Sequence, residues 1–152
     1  MPLPPCGLYR TLVSIGGAPA GSLVFFHNHG DPGPGIYLPA GWEGNRARFA
    51  EQGIPLPDLD LAEKLEPLPA EGLYRVTREF WCCEKHCRRF EPDLLVQLGY
   101  NGAGEAIVFV PEWWDGTLAF PERGFPVDRA TRSALAPLKV APVSRPPEGQ
   151  LH

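Results

Sequence analysis

Three of the four cysteines and one of the four histidines in this 152-residue chain fall within seven consecutive residues, Trp81 to Cys87, WCCEKHC. Thiolate sulfur and imidazole nitrogen are donors that zinc favours, and the local Cys-x2-His and Cys-x3-Cys spacings suit a single ion. On a helical turn Cys83, His86 and Cys87 stand at i, i+3 and i+4 and share one face. Three ligands leave a fourth place for Cys6, Cys82, His27, His29 or a water molecule. Water in that place is the arrangement of a catalytic rather than a structural zinc.

Two other chemistries compete for the same residues. Lys85, His86, Arg88 and Arg89 put positive charge around the thiols, which favours thiolate and hence a nucleophilic or oxidisable cysteine. Cys82 and Cys83 are adjacent, with Cα atoms about 3.8 Å apart, closer than a relaxed disulfide prefers, so a bridge between them would be strained and easily reduced. The plain alternative is that the cysteines are small buried hydrophobes and the basic residues a solvated face. A second pair of donors, His27 and His29, lies in FFHNHG; at i and i+2 of a strand they point to the same side and can chelate.

The elements that must hold these residues are short. With 17 Gly and 19 Pro the chain is punctuated too often for long helices. Six apolar segments read as strands: Leu8 to Ile15, Ser22 to Asn28, Gly35 to Leu38, Leu73 to Trp81, Leu94 to Tyr100 and Ala106 to Val110. Turn sequences separate them, GGAPAG, GDPGPG and NGAG.

The segments recur in order. GLYR stands at Gly7 to Arg10 and again at Gly72 to Arg75, and Leu23-Val24 returns as Leu95-Val96, an offset of 72 residues (95 − 23). Pro39, Trp42 and Gly44 fall on Pro111, Trp114 and Gly116 at that same offset. After a one-residue slip Phe49, Glu51, Gly53 and Pro55 fall on Phe120, Glu122, Gly124 and Pro126, and Pro67-Leu68 returns as Pro137-Leu138. The expectation is a mainly β protein with short helices, a tandem duplication of a small SH3-like or similarly compact barrel. Residues 6–70 form the first copy, 71–140 the second, and a Pro-rich tail, 141–152, is expected to be disordered. Copies this small are individually marginal and are expected to share a core. Each ends in a short helix, with Asp128 as N-cap in the second copy and Asp58 or Asp60 in the first.

Positions shared by the copies are those the fold demands; differences are where function is added. Trp42 and Trp114 pair at the common offset and read as aromatic plugs at a barrel corner. Trp113 falls opposite Gly41 and reads as an exposed platform for a partner. The segment CCEKHCRRF lies where the offset grows from 65 (72 − 7) to 72, so about seven residues are inserted there.

With 14 basic against 18 acidic residues and a pI near 5.5, the chain lacks the field of a protein that grips phosphate backbones. General nucleic-acid binding is disfavoured. The start, MPLPPCGLYR, reads as no export signal, and no apolar run reaches the length of a membrane span, so the expectation is a cytoplasmic protein with reduced thiols. Motifs for a P-loop, a dinucleotide fold, a zinc protease or a serine hydrolase are absent. The reading is therefore a non-catalytic protein-binding protein, an adaptor, inhibitor or immunity-type antagonist of a basic partner, contacted through Trp113, Arg88 and Arg89. Its insert would be a zinc-binding loop built from Cys82, Cys83, His86, Cys87, His27 and His29. The alternative is a metal- or thiol-dependent enzyme centred on Cys83, His86 and Cys87.

Overall fold

The computed structural model describes residues 3–30 and 33–141. Apart from Ala141, the tail expected to be disordered, 141–152, falls outside the described residues. Among the described residues no helix is long and apolar enough to cross a membrane.

The chain is mainly β. Its first part runs β1 (Gly7–Thr11), β2 (Leu23–His27), β3 (Gly35–Tyr37), β4 (Pro39–Glu43), β5 (Arg46–Phe49), β6 (Ile54–Pro55) and β7 (Leu65–Pro67), with a 3₁₀ helix at Leu59–Lys64. The second part runs β8 (Gly72–Val76), β9 (Phe80–Trp81), β10 (Arg89–Phe90), β11 (Leu95–Tyr100), β12 (Ala106–Phe109), β13 (Glu112–Trp114), β14 (Thr117–Ala119), β15 (Phe125–Pro126) and β16 (Leu135–Pro137), with a 3₁₀ helix at Arg129–Ala134.

Two five-stranded sheets result, in the orders β6-β3-β2-β1-β7 and β15-β12-β11-β8-β16. Their registers coincide. Leu8 lies opposite Phe25 as Leu73 lies opposite Gln97, and Phe25 opposite Tyr37 as Gln97 opposite Phe109. Among the described residues the strand orders show two five-stranded sheets and no closed barrel.

The repeated GLYR has a visible cause. Tyr9 is buried and donates its hydroxyl proton to the Pro5 carbonyl at 2.6 Å; Tyr74 does the same to the Ala70 carbonyl at 2.6 Å. Each ring fills the core while its one polar atom is satisfied locally. The first loop differs from the second for a polar reason. Buried Thr11 donates to the Pro19 carbonyl and accepts from the Ser22 N–H, holding the GGAPAG loop in place. The corresponding residue in β8 is Val76, buried among Phe80 and Phe90, because the inserted β9–β10 hairpin covers it with apolar side chains.

The helix caps resolve in favour of Asp58, whose carboxylate accepts from the Asp60 N–H at 3.0 Å. Asp128 takes the equivalent N-cap place, but its side chain makes no capping bond.

The first part has a core of its own, but some of its side chains reach into the core of the second, which it also grips with one hairpin. Leu23 is fully buried in the core of the second sheet, and Leu8, Ala47 and Phe49 pack against it. Complete burial of a leucine contributes roughly 1.5–3 kcal/mol. The tip of the β4–β5 hairpin lies on β11: the Asn45 side-chain amide donates to the Gln97 side chain at 3.0 Å and to the Pro121 carbonyl at 2.8 Å, and Gln97 donates back to the Gly44 carbonyl. The Ala47 N–H donates to the Glu71 carboxylate at 2.9 Å. Burial is the main influence on that carboxyl and pushes its pKa up, against the hydrogen bond and Arg46. Gly99 makes the tip's approach possible, since a Cβ there would lie 2.7 Å from the Asn45 carbonyl oxygen.

Candidate metal centre

The inserted segment is a hairpin loop, not the helical turn that would align Cys83, His86 and Cys87. β9 and β10 pair with Trp81 opposite Arg89 and Phe80 opposite Phe90, and Cys82 N–H donates to the Arg88 carbonyl at 3.0 Å. Stacked Phe80 and Phe90, 4.7 Å between ring centroids, anchor the base of the loop in the core. Beyond Cys82 the chain reverses through a turn in which the His86 N–H donates to the Cys83 carbonyl at 3.0 Å.

This loop sorts the donors differently from their spacing. The Cys82 and Cys83 sulfurs are 3.7 Å apart and those of Cys83 and Cys87 3.9 Å, and all three lie within 4.8 Å of one another. Sulfurs 2.3 Å from a tetrahedral zinc are separated by about 3.8 Å, so the three thiols already stand near the spacing of three corners of such a site. All four cysteines are free, and no bridge joins Cys82 to Cys83. His86 is left out. Its backbone is left-handed, φ 54°, and its ring stacks on the Trp81 indole at 4.6 Å with 7° between planes. The stack turns the imidazole toward β9, while Cys82, buried and expected only as a spare ligand, joins the cluster in its place.

The thiols are not equal. Cys83 is held below its ordinary pKa, first by the Lys85 backbone N–H aimed at its sulfur, then by the Cys82 thiol; desolvation opposes this, and Cys87 adds to it through its backbone and thiol. Cys87 is pushed up, chiefly by its hydrogen bond with Cys83 and by the charge that forms there. The lowering thus comes from N–H groups of the turn rather than from the basic side chains. Arg89 is paired with Glu79 at 3.0 Å. Arg88 lies over the Phe125 and Phe90 rings, 5.5 and 5.8 Å from their centroids. Both arginines, expected to meet a partner, are engaged within the second half of the chain.

His27 and His29 are not part of this cluster. They gather instead with Cys6, whose sulfur is 3.7 Å from His27 Nδ1 and 3.8 Å from His29 Nδ1. The β1–β2 register, Gly7 opposite Phe26, carries Cys6 across from His27. That pairing was legible from the two strands once their register was known, and the spacing of cysteines alone does not reveal it. Of the six expected ligands, Cys82, Cys83 and Cys87 gather in the loop, His27 and His29 beside Cys6, and His86 joins neither group.

No protein-family model, no curated protein and no solved structure matches this chain. Its geometry carries the functional reading alone.

The three remaining tryptophans stand on the two-stranded hairpins β4–β5 and β13–β14. In β4–β5 the two-residue turn is Gly44-Asn45, and in β13–β14 it is Asp115-Gly116, with φ positive at both central residues of each. Aligning the turns places Trp42 with Trp113 and Glu43 with Trp114, against the sequence pairing of Trp42 with Trp114. A bulge at Ala40, between Pro39 and Gly41, takes up the one-residue slip before the hairpin rather than after it. Neither is a core plug. Trp42 is 44% exposed with its indole N–H donating to the Tyr100 carbonyl at 2.8 Å, and Trp113 and Trp114 are 76% and 75% exposed.

Proposed function

We propose that this chain is a non-catalytic interaction protein, formed by duplication of a five-stranded β unit, that binds a basic protein partner through the β13–β14 hairpin. The carrying observation is an asymmetry between equivalent residues. Trp42, Phe49 and Leu68 of the first part contact the second part, Trp42 while still 44% exposed, whereas their counterparts Trp113, Phe120 and Leu138 are exposed, Trp113 to 76%. Exposed large apolar groups gathered on one element mark interaction sites. The coincident registers of the two sheets support the duplication.

Glu112 and Asp115, both exposed, flank the two tryptophans, so the hairpin offers aromatic surface framed by negative charge. Such a surface complements a basic partner, with the indoles as anchors and the carboxylates steering encounter. The Cys82, Cys83 and Cys87 loop, held in a reducing cytoplasm, serves as a zinc-stiffened support beside the second sheet. The alternative of an enzyme centred on Cys83, His86 and Cys87 loses support from the stacking of His86 on Trp81, which removes the base from the nucleophile.

The test is affinity capture with the purified full chain, wild type against a W113A/W114A double variant. A partner retained by the wild type and lost from a variant of unchanged fold supports the reading; identical partner sets overturn it. For the loop, zinc content of protein purified without chelators is expected to fall on Cys83→Ser.

A further inference from the structure

We propose that Cys6, His27 and His29 form a second metal site, separate from the cysteine loop, whose fourth coordination position opens on the neighbouring cavity and holds an exchangeable ligand. The proposal does not depend on the role of the tryptophan hairpin.

Distances carry the first part. With Zn–S near 2.3 Å and Zn–N near 2.0–2.1 Å, sulfur and nitrogen bound to one tetrahedral ion lie about 3.6 Å apart. The Cys6 sulfur is 3.7 Å from one imidazole nitrogen and 3.8 Å from the other, so small rotations of exposed side chains complete the geometry. The rings of His27 and His29 lie 4.0 Å apart by centroid with 45° between their planes, so both imidazoles stand on the same side of the chain.

The second part is an internal control. At the equivalent places of the second sheet stand Glu71, Gly99 and Asn101, none of which provides a thiol or an imidazole. The shared fold is built without these donors, so all three are additions to the first sheet, and they come together in space from two separate segments. Asn28 supports them: its backbone N–H donates to the Cys6 sulfur at 3.3 Å, and its side-chain oxygen lies 2.8 Å from His29 Nδ1. That oxygen can only accept, so His29 Nδ1 carries its hydrogen toward Asn28 in the metal-free chain, and the nitrogen exchanges this contact for the ion when it ligates. The Asn28 amide is itself anchored by donating to the Pro4 carbonyl at 3.1 Å.

The third part is the space beside the ligands. A cavity of about 410 Å³ has His27 and His29 in its wall, with Tyr37, Glu51 and Gln52 opposite. Three protein ligands and an adjoining polar cavity are the conditions for a zinc-type ion that keeps a water, exchangeable for a small anion.

Cobalt(II) is the probe, because a thiolate ligand gives it a near-ultraviolet charge-transfer band and four-coordination gives it intense visible bands. The full chain carrying C83S and C87S removes the competing loop. Saturable cobalt binding with both features, and visible bands that shift when azide is added, is the expected result. Adding Cys6→Ser should abolish the charge-transfer band, and His27→Ala should weaken binding at least about tenfold. Cys6 and its surroundings are exposed, so an unchanged near-ultraviolet dichroism spectrum shows that the fold is intact. Absence of saturable binding, or a spectrum indifferent to Cys6→Ser, overturns the site; bands indifferent to azide overturn its open position.

Discussion

Trp42 and Trp113 occupy the same position of two equivalent hairpins, yet one donates its indole N–H to the Tyr100 carbonyl of the other sheet and the other stands 76% exposed. The same residue type is thus a tie between the two halves in one place and a free surface in the other.

Replacing the two therefore gives opposite results. Trp42→Ala loses a hydrogen bond and half-buried ring surface, and should destabilise by about 1–3 kcal/mol. Trp113→Ala should change stability by no more than about 0.5 kcal/mol while weakening partner binding. Urea denaturation of both variants measures the difference; equal losses would mean that the Trp113 hairpin is not free.

Gly99→Ala puts a methyl group 2.7 Å from the Asn45 carbonyl oxygen and pushes the β4–β5 tip off β11. A loss of about 1–3 kcal/mol is expected from this overpacking. Gly102→Ala is the control, because its nearest neighbour is the Trp42 ring at an ordinary 3.8 Å. It should leave the melting temperature almost unchanged.

The thiols of the metal-free loop should react in a fixed order. Turn N–H groups hold Cys83 as thiolate at lower pH than an ordinary cysteine, while Cys87 stays protonated to higher pH. Iodoacetamide labelling followed by peptide mass mapping should therefore mark Cys83 before Cys87 as pH is raised, and zinc should protect both. Preferential labelling of Cys87 would contradict the geometry of the turn.

Alkaline pH should unfold the protein through its buried tyrosines. Tyr100 is pushed well up, first by burial, with Arg132 opposing and Tyr74 and Glu71 adding; its hydroxyl donates to the Pro69 carbonyl at 2.6 Å. Tyr74 is raised by burial, and Tyr9 by burial and then by Cys6. A folded-state value above the unfolded one means that the folded chain keeps the proton longer. Stability is then complete below the unfolded value near 10 and declines as pH rises beyond it. Tyr100→Phe should flatten that decline in denaturation measured across alkaline pH, and an unaltered slope would remove Tyr100 from the explanation.

Sequence alone determined what depends on local spacing and composition. Frequent Gly and Pro, with apolar segments between them, specify short strands, and six such segments lie on strands of the structure. The ordered return of GLYR, Leu-Val and Pro-Leu anticipated two sheets of like register, because a strand's inward positions repeat with its pairing. Chemical capacity was legible too, since Cys82, Cys83, Cys87, His27 and His29 are donors wherever they sit. Only the tertiary structure decided which donors meet. Spacing along a chain limits how far apart two side chains can be, but their direction follows from backbone dihedrals and cross-strand register. Positive φ and the Trp81 stack turn His86 away from the thiols, and the β1–β2 ladder carries Cys6 to the histidines. One bulged residue, Ala40, moves Trp113 rather than Trp114 into equivalence with Trp42. Packing then covers much of the first hairpin and leaves the second exposed, a distinction that local sequence cannot contain because it depends on what lies next to each hairpin.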